Sequence, residues 1–286
     1  MIKIPPSIDY DAYYFANCTP PGLRYERSDH WIGLFDGIAE HIANEIKPIT
    51  VLDAGCAMGF LVESLRNRNI EAFGIDTSEF AIQNVLPEIK PFCWVGSITE
   101  QFPQEKYDLI VCIEVLEHLP TSQAEKTIAN FCNHSDLVLF SSTPVDYKEA
   151  SHLNVNPVEY WTKLFARNNF FHDLDYDSTY ITPWTMLYRR KAVSIEQIVM
   201  QYERKFYLYS IENHSLRDLA LENRQELSTN FNTINRLNSK IAENERIIQS
   251  LQKQLELILT SRSWKILEKF RNTKLYPLFV KYFPKK

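Results

Sequence analysis

ITVLDAGCAMGFLVESLRNRNIEAFGID, residues 49 to 76, decides the fold. Thr50 to Leu52 is a short apolar run suited to a buried strand. Asp53-Ala54-Gly55-Cys56-Ala57-Met58-Gly59 is a tight turn of mostly small residues, where backbone can approach a ligand closely. Phe60 to Asn67 reads as a helix whose free N–H groups point at that turn. Glu71 to Ile75 is a second strand with Asp76 at its carboxyl end. Together they make one βαβ unit with an acid beyond each strand.

Two ligand classes use such a unit. Dinucleotide sites need Gly-x-Gly-x-x-Gly to cradle a pyrophosphate, with a ribose-binding acid about 20 residues on. Here the spacing is Gly55-x-Ala57-x-Gly59, and Asp53 stands two residues before the first glycine. A carboxylate so placed would repel a pyrophosphate but suits a ligand with cationic ammonium and sulfonium groups.

These residues resemble the class I methyltransferases that use S-adenosylmethionine. The resemblance implies that Asp53 lies beside the methionine end of that cofactor, that Gly55 and Gly59 let the backbone approach it, and that Asp76 takes both ribose hydroxyls, with Thr77 next to it also expected to bind the cofactor. Ala57 stands where the family usually has glycine. Over Tyr10 to Arg190 the chain is similar to methyltransferases found beside glycosyltransferases in bacterial polysaccharide assembly, through VLDAGCAMGFLVESLR, YDLIVCIEVLEHLP and the run from His152 to Trp161. The implied fold is a Rossmann-like, seven-stranded, mostly parallel sheet with helices on both faces. The implied reaction is methyl transfer to a sugar hydroxyl in glycan assembly. A quinone-like or other small-molecule acceptor is the alternative within enzymes, and a cofactor-binding scaffold is the alternative outside them. Intact Asp53, Gly55, Gly59 and Asp76 favour activity over scaffold.

Composition bounds the rest. At 286 residues, 45% hydrophobic and 23% charged, the chain can bury a sizeable core. It has no apolar run of membrane-spanning length, and MIKIPPSIDY lacks the basic and apolar regions of a signal peptide, so a cytoplasmic protein is expected. Cys18, Cys56, Cys93, Cys112 and Cys132 are dispersed and odd in number, reading as core thiols; no metal is expected. From Ser261 on the chain carries +7, so the remainder carries −12 of the net −5. An acidic body argues against a nucleic-acid partner, because phosphate binding needs a basic face.

In chain order, residues 1–30 form an irregular, aromatic, proline-containing arm. It either covers the cofactor, as in the family, or tethers the domain. A helix is expected from Trp31 to Ile46 with Leu34, Ile38, Ile42 and Ile46 on one face. Another is expected from Thr77 to Leu86, then a strand from Phe92 to Val95. The junction after that strand meets adenine in the family, so Ser97 and Ile98 are expected to line the adenine pocket. Tyr107 to Ile113 reads as a strand buried on both faces. Glu114-Val115-Leu116-Glu117-His118-Leu119-Pro120 follows it and should face the cofactor, because ligands bind beyond the carboxyl ends of such strands. A helix from Ser122 to Cys132 and a strand from Leu137 to Ser142 come next. The polar, aromatic insertion after them holds His152. His152 and His118 are the candidate bases for an alcohol acceptor, a neutral histidine near pH 7 being the natural proton acceptor. Capping a helix and touching the cofactor are the equal alternatives for His118. After a helix from Val158 to Arg167, Phe170 to Tyr176 and Thr182 to Arg189 are expected as a final antiparallel pair.

From Ser194 the sequence is helical and free of glycine. Apolar and asparagine residues from Leu216 to Ile258 alternate steps of four and three, a heptad seam running roughly 64 Å at 1.5 Å per residue. A parallel homodimer is expected, with a helix folded back on the domain as the alternative. The basic tail interleaves Trp264, Ile266, Leu267, Phe270, Tyr276, Leu278, Phe279, Val280 and Phe283 with its cations. That composition suits an anionic membrane surface on the cytoplasmic side or docking on a partner protein, such as a glycosyltransferase. The expected organisation is thus an arm over 1–30, a catalytic domain over 31–192, a coiled coil over 193–260 and a tail over 261–286.

Overall fold

The computed structural model describes residues 9–19, 22–273 and 275–277. The prolines at 5, 6, 20 and 21 and the tail residues Leu278, Phe279, Val280 and Phe283 lie outside the described residues. The chain divides into two compact units, Met1–Lys205 and Phe206–Lys286.

The first unit is built on one seven-stranded sheet: β1 (Thr50–Ala54), β2 (Glu71–Asp76), β3 (Cys93–Val95), β4 (Leu109–Ile113), β5 (Leu137–Ser141), β6 (Phe170–His172) and β7 (Met186–Arg190). The spatial order is β3-β2-β1-β4-β5-β7-β6. β1 to β5 pair in parallel, while β7 runs antiparallel to both β5 and β6. The strand order reverses between β1 and β4, where a ligand crevice opens in such sheets.

Side-chain alternation along the central strands feeds two cores. Leu52, Ile110, Cys112, Val138 and Phe140 face α5 (Thr121–His134) and α6 (Val158–Ala166), with Phe131, Trp161 and Phe165 fully or nearly fully buried among them. Val51, Leu109, Val111, Leu139 and Leu187 face α2 (Asp29–His41) and α3 (Phe60–Arg66) through Ile38, Ile42, Leu61 and Leu65. Both faces being covered is why these strands are near-continuously apolar. The expected antiparallel pair is present but short, because Asp173 to Thr185 forms turns held by Ser178 and Thr185 rather than strand.

Several expectations are corrected. The arm is not wholly irregular: α1 (Ala12–Asn17) forms on the Asp11 cap, whose carboxylate accepts from the N–H groups of Tyr13 and Tyr14. The helix expected through Ile46 is α-helical only to His41, then widens into a π-helical turn over Ile42–Ile46 that keeps Ile42 fully buried. It stops at Lys47, which is left-handed at φ 57°. The helix expected from Thr77 shrinks to α4 (Glu79–Gln83) because Ser78 is its cap, accepting from the Ala81 N–H. β1 runs on through Ala54, so Asp53 belongs to the strand.

In the described residues the five cysteines are free thiols, four of them buried. The long helix α7 (Ile195–Thr260) contains no buried residue, and every seam position from Leu216 to Ile258 is exposed. α8 (Arg262–Arg271) follows, with the Ser261 hydroxyl accepting from the Trp264 N–H. No described helix is long and apolar enough to cross a membrane.

Candidate active site

The carboxyl ends of β1, β2, β4 and β5 meet at the crevice. On the β1–β2 side, Gly55 turns the chain at φ 100°, and the N–H groups of Gly55 and Cys56 both donate to the Ile75 carbonyl, at 2.8 and 3.1 Å. A Cβ at Gly55 would fall 2.4 Å from Cγ2 of Val115, just past β4, so only glycine lets these strand ends approach so closely. Gly59 is also left-handed, at φ 72°. So is Ala57, at φ 44°, where a side chain is tolerated at some strain.

Asp76 holds this loop. One carboxylate oxygen accepts from the Ala57 N–H and the other from the Ser78 N–H, each at 2.8 Å. Each oxygen keeps a further lone pair for a ligand hydroxyl. Asp53 is 5% exposed, and burial, with the Asp76 charge second, pushes its carboxyl up to about 8. Burial also raises Asp76, partly offset by the N–H donors of Ser78, Ala57 and Thr77. Two acids crowded together, one of them buried, make a cradle suited to positive charge.

The arm lies against this side. Arg27 makes a two-pronged ion pair with Glu63 at 2.7 and 2.8 Å, and the Trp31 indole donates to the Arg24 carbonyl. Tyr25 packs on Phe60, and its hydroxyl is raised by burial and by the charges of Asp53, Cys56 and Asp76. The Ser78 hydroxyl donates to the Tyr10 carbonyl. The arm is therefore tethered and also brought near the strand-end acids. A cavity of 310 Å³ between the arm and Met58 and Phe80 has neither acid in its walls.

Ser97 and Ile98 are the residues expected at an adenine pocket. The Ile98 side chain is 4% exposed and belongs to the core beneath α5, while Asn130 donates to the Ile98 carbonyl. The Ser97 hydroxyl is engaged with Thr99. Thr77 is exposed, and its contribution is the backbone donor to Asp76.

On the β4–β5 side the structure gathers Glu114, Glu117, His118 and His152. Glu114 is left-handed at φ 52°, a strain that collects at functional positions. It accepts from the Trp184 indole at 2.8 Å. Glu117 is fully buried and accepts from Ser142 Oγ at 2.9 Å; burial first, then Glu114, raises its carboxyl well above the usual range. Burial, with His152 second, lowers His118 to about 4, so its ring is neutral. His152 is no solvated loop residue: its side chain is 7% exposed, and its Nδ1 lies 2.8 Å from the Asp146 carbonyl. The two imidazoles are 4.7 Å apart, and His118 also meets the edges of Tyr10 and Tyr14.

Glu117 was absent from the sequence candidates. The signal lay in its placement three residues after Glu114 and directly before His118, inside an otherwise apolar segment. The role of the His152-x-Asn154 pattern is also visible: the N–H groups of Leu153 and Asn154 donate to the Glu117 carbonyl at 2.7 and 2.9 Å, and Asn154 Oδ1 accepts from Thr121 and Asn156. The insertion is thereby pinned over β4.

Residues 26–178 match the family described as methyltransferase domain. The chain belongs to this methyltransferase-domain family. It is 32% identical over 135 residues to a ubiquinone biosynthesis O-methyltransferase of Neisseria meningitidis serogroup C, covering 43% of this chain and 55% of the relative. A magnesium-protoporphyrin O-methyltransferase of Synechocystis is 29% identical over 100 residues, covering 33% of this chain and 44% of the relative. The crystal structure of the Synechocystis magnesium protoporphyrin IX methyltransferase with bound SAH superposes with a TM-score of 0.47 at 17% identity, covering 56% of this chain and 83% of that one. The chain spans from about a third to just over half the length of the curated relatives it matches.

Proposed function

We propose that this methyltransferase-domain protein transfers a methyl group from S-adenosylmethionine to a hydroxyl of a quinone-like small molecule. The observation that carries the cofactor is the cradle at β1 and β2. Asp53 and Asp76 converge beside a glycine turn that a Cβ would fill, and two crowded acids whose charged forms burial disfavours suit a ligand carrying ammonium and sulfonium charge, which would stabilise their ionised forms. When bound, the cofactor supplies a methyl group on a positively charged sulfur. The chain's own residues would hold it: Asp76 would accept from the ribose hydroxyls while keeping the Ala57 and Ser78 donors, and Asp53 would face the cationic end.

The acceptor side is the cluster beyond β4 and β5. There the residues of the cluster would align an acceptor hydroxyl for in-line attack on the methyl carbon, with the carbon–sulfur bond electron pair left on sulfur, and one of them would take the hydroxyl proton. In-line displacement asks the protein chiefly for alignment, which a pinned insertion can give. The relatives named for ubiquinone and magnesium-protoporphyrin O-methylation support a small-molecule acceptor over the sugar hydroxyl expected from the sequence.

Calorimetry with S-adenosylmethionine and its demethylated product tests this. Asp76→Ala removes charge-assisted hydrogen bonds worth roughly 1.5 to 3 kcal/mol each, so binding should weaken at least tenfold. Absence of binding by the parent protein, or equal affinity in the variant, refutes the assignment.

A further inference from the structure

We propose that Glu117, His118 and His152 form a divalent transition-metal site. One ligand atom from each of the three lies within 4.8 Å of the other two. Ligands held about 2.1 Å from an ion sit roughly 3 to 4 Å apart, so closure around a cation needs movements of about 1 Å or less.

Three observations point to a ligand rather than to incidental packing. First, His118 Nδ1 is buried and has no hydrogen-bond partner. Second, each ring is oriented by the backbone through its other nitrogen: His152 Nδ1 by the Asp146 carbonyl at 2.8 Å, and His118 by Ser151. That arrangement orients both rings, as outer-shell carbonyls do for metal-binding histidines, and turns His152 Nε2 to the side where Glu149 Oε2 lies 3.4 Å away. Third, the Glu117 carboxyl is oriented by Ser142 Oγ and the Thr143 N–H, while its backbone carbonyl holds the segment that delivers His152. One residue thus offers a ligand and also builds the loop that carries another.

Two imidazoles with one carboxylate select a borderline cation such as Fe(II), Co(II) or Zn(II) over Mg(II) or Ca(II), which prefer oxygen ligands. A second group, Asp146, Glu149 and His152, shares His152 but is more exposed and has a single imidazole. The inner group is therefore the site. Three protein ligands leave coordination positions open, and they open at the carboxyl ends of β4 and β5. Resting on the methyl-transfer reading, those positions would hold the acceptor oxygen. A coordinated ring nitrogen takes no proton, so the base role expected of His118 and His152 passes to the remaining carboxylate, Glu114.

The test uses chelator-treated full-length protein titrated with Co(II), followed by its visible absorption and by calorimetry. One equivalent should bind with a d–d band, and His118→Ala and His152→Gln should each weaken binding at least about a hundredfold, since even outer-shell partners are worth roughly 10- to 100-fold. Asp146→Asn, in the outer group, should change affinity less than about threefold. Binding of the demethylated cofactor product in the same samples reports whether each variant is folded and keeps a failed metal site distinct from a failed cofactor site. No stoichiometric Co(II) binding by the parent, equal binding in both histidine variants, or an equal loss in Asp146→Asn overturns the proposal.

Discussion

Gly55→Ala is the substitution whose cost can be worked most closely. The residue sits at φ 100°, and a left-handed backbone forced on alanine costs on the order of 1 to 3 kcal/mol. The added methyl would lie 2.4 Å from Val115 Cγ2 and 3.1 Å from its Cγ1, so Val115 or the loop must shift by about 1 Å. Overpacking of that kind costs typically 1 to 3 kcal/mol. The sum, about 2 to 6 kcal/mol, falls on the loop that Asp76 holds and on the strand end that carries Glu114. Val115→Ala in the same chain removes the clash and leaves the torsion. The double variant should therefore recover about 1 to 3 kcal/mol relative to the sum of the single changes, a coupling a double-mutant cycle measures directly. Thermal melts of the four proteins read it as stability, at roughly 2 to 4 °C per kcal/mol for a domain of this size. Calorimetry with the cofactor reads it as affinity. If Gly55→Ala binds and melts like the parent, the close approach of β1 and β4 is not what glycine is there to permit, and the cradle argument fails.

Two other expectations follow from the same structure. With Asp53 raised to about 8 against about 3.9 unfolded, the folded state holds a proton the unfolded state lacks, so stability is fully present below about pH 4 and is lost as pH rises through 8. Melting temperature without cofactor should fall between pH 6.5 and 8.5, and Asp53→Asn should flatten that fall; an identical slope in the variant refutes the assignment. We also propose that α7 pairs with a second copy in parallel, because its heptad seam is exposed along its whole length and a helix gains most of its stability from packing such a face. Light scattering should give a dimer mass that becomes a monomer mass when Ile234, Ile241 and Ile248 are changed to Asp, and a monomeric parent would refute the pairing.

The sheet was legible because its signals are local. The glycine turn between two strand-like runs fixes a βαβ unit within 28 residues, and strands apolar on both faces announce covering helices. Asp53 and Asp76 could be read because each stands at the end of its own strand. What the sequence hid is what depends on distant chain. The Thr77–Leu86 pattern suits a helix, yet Ser78 caps it late because the Tyr10 carbonyl, 68 residues earlier, takes the serine hydroxyl. Ile98 follows a strand as a pocket residue would, but the side on which it falls is decided by Asn130, 32 residues on.

The acceptor side shows the same limit with a functional consequence. Read alone, Glu117 is a surface residue one turn past a strand, and His152 is a polar loop residue 35 positions away. Their meeting depends on the two N–H groups of Leu153 and Asn154 closing on the Glu117 carbonyl, and on Ser142 and Thr143 meeting its carboxyl from beyond β5. Burying a carboxylate next to Glu114 is costly unless it is compensated. A proton on Glu117 offsets that cost when the protein is alone, and a divalent cation would offset it while using both imidazoles. The left-handed Glu114 lies at the centre of this arrangement. Its strain is sustained at the strand end, where the Glu114 N–H donates to both the carbonyl and the hydroxyl oxygens of Ser141, at 3.1 and 3.2 Å. A backbone held so firmly in an unfavourable region aims the carboxylate at the Trp184 indole and the crevice, instead of at solvent. Strain there is the cost of presenting an acid where the two halves of the site meet.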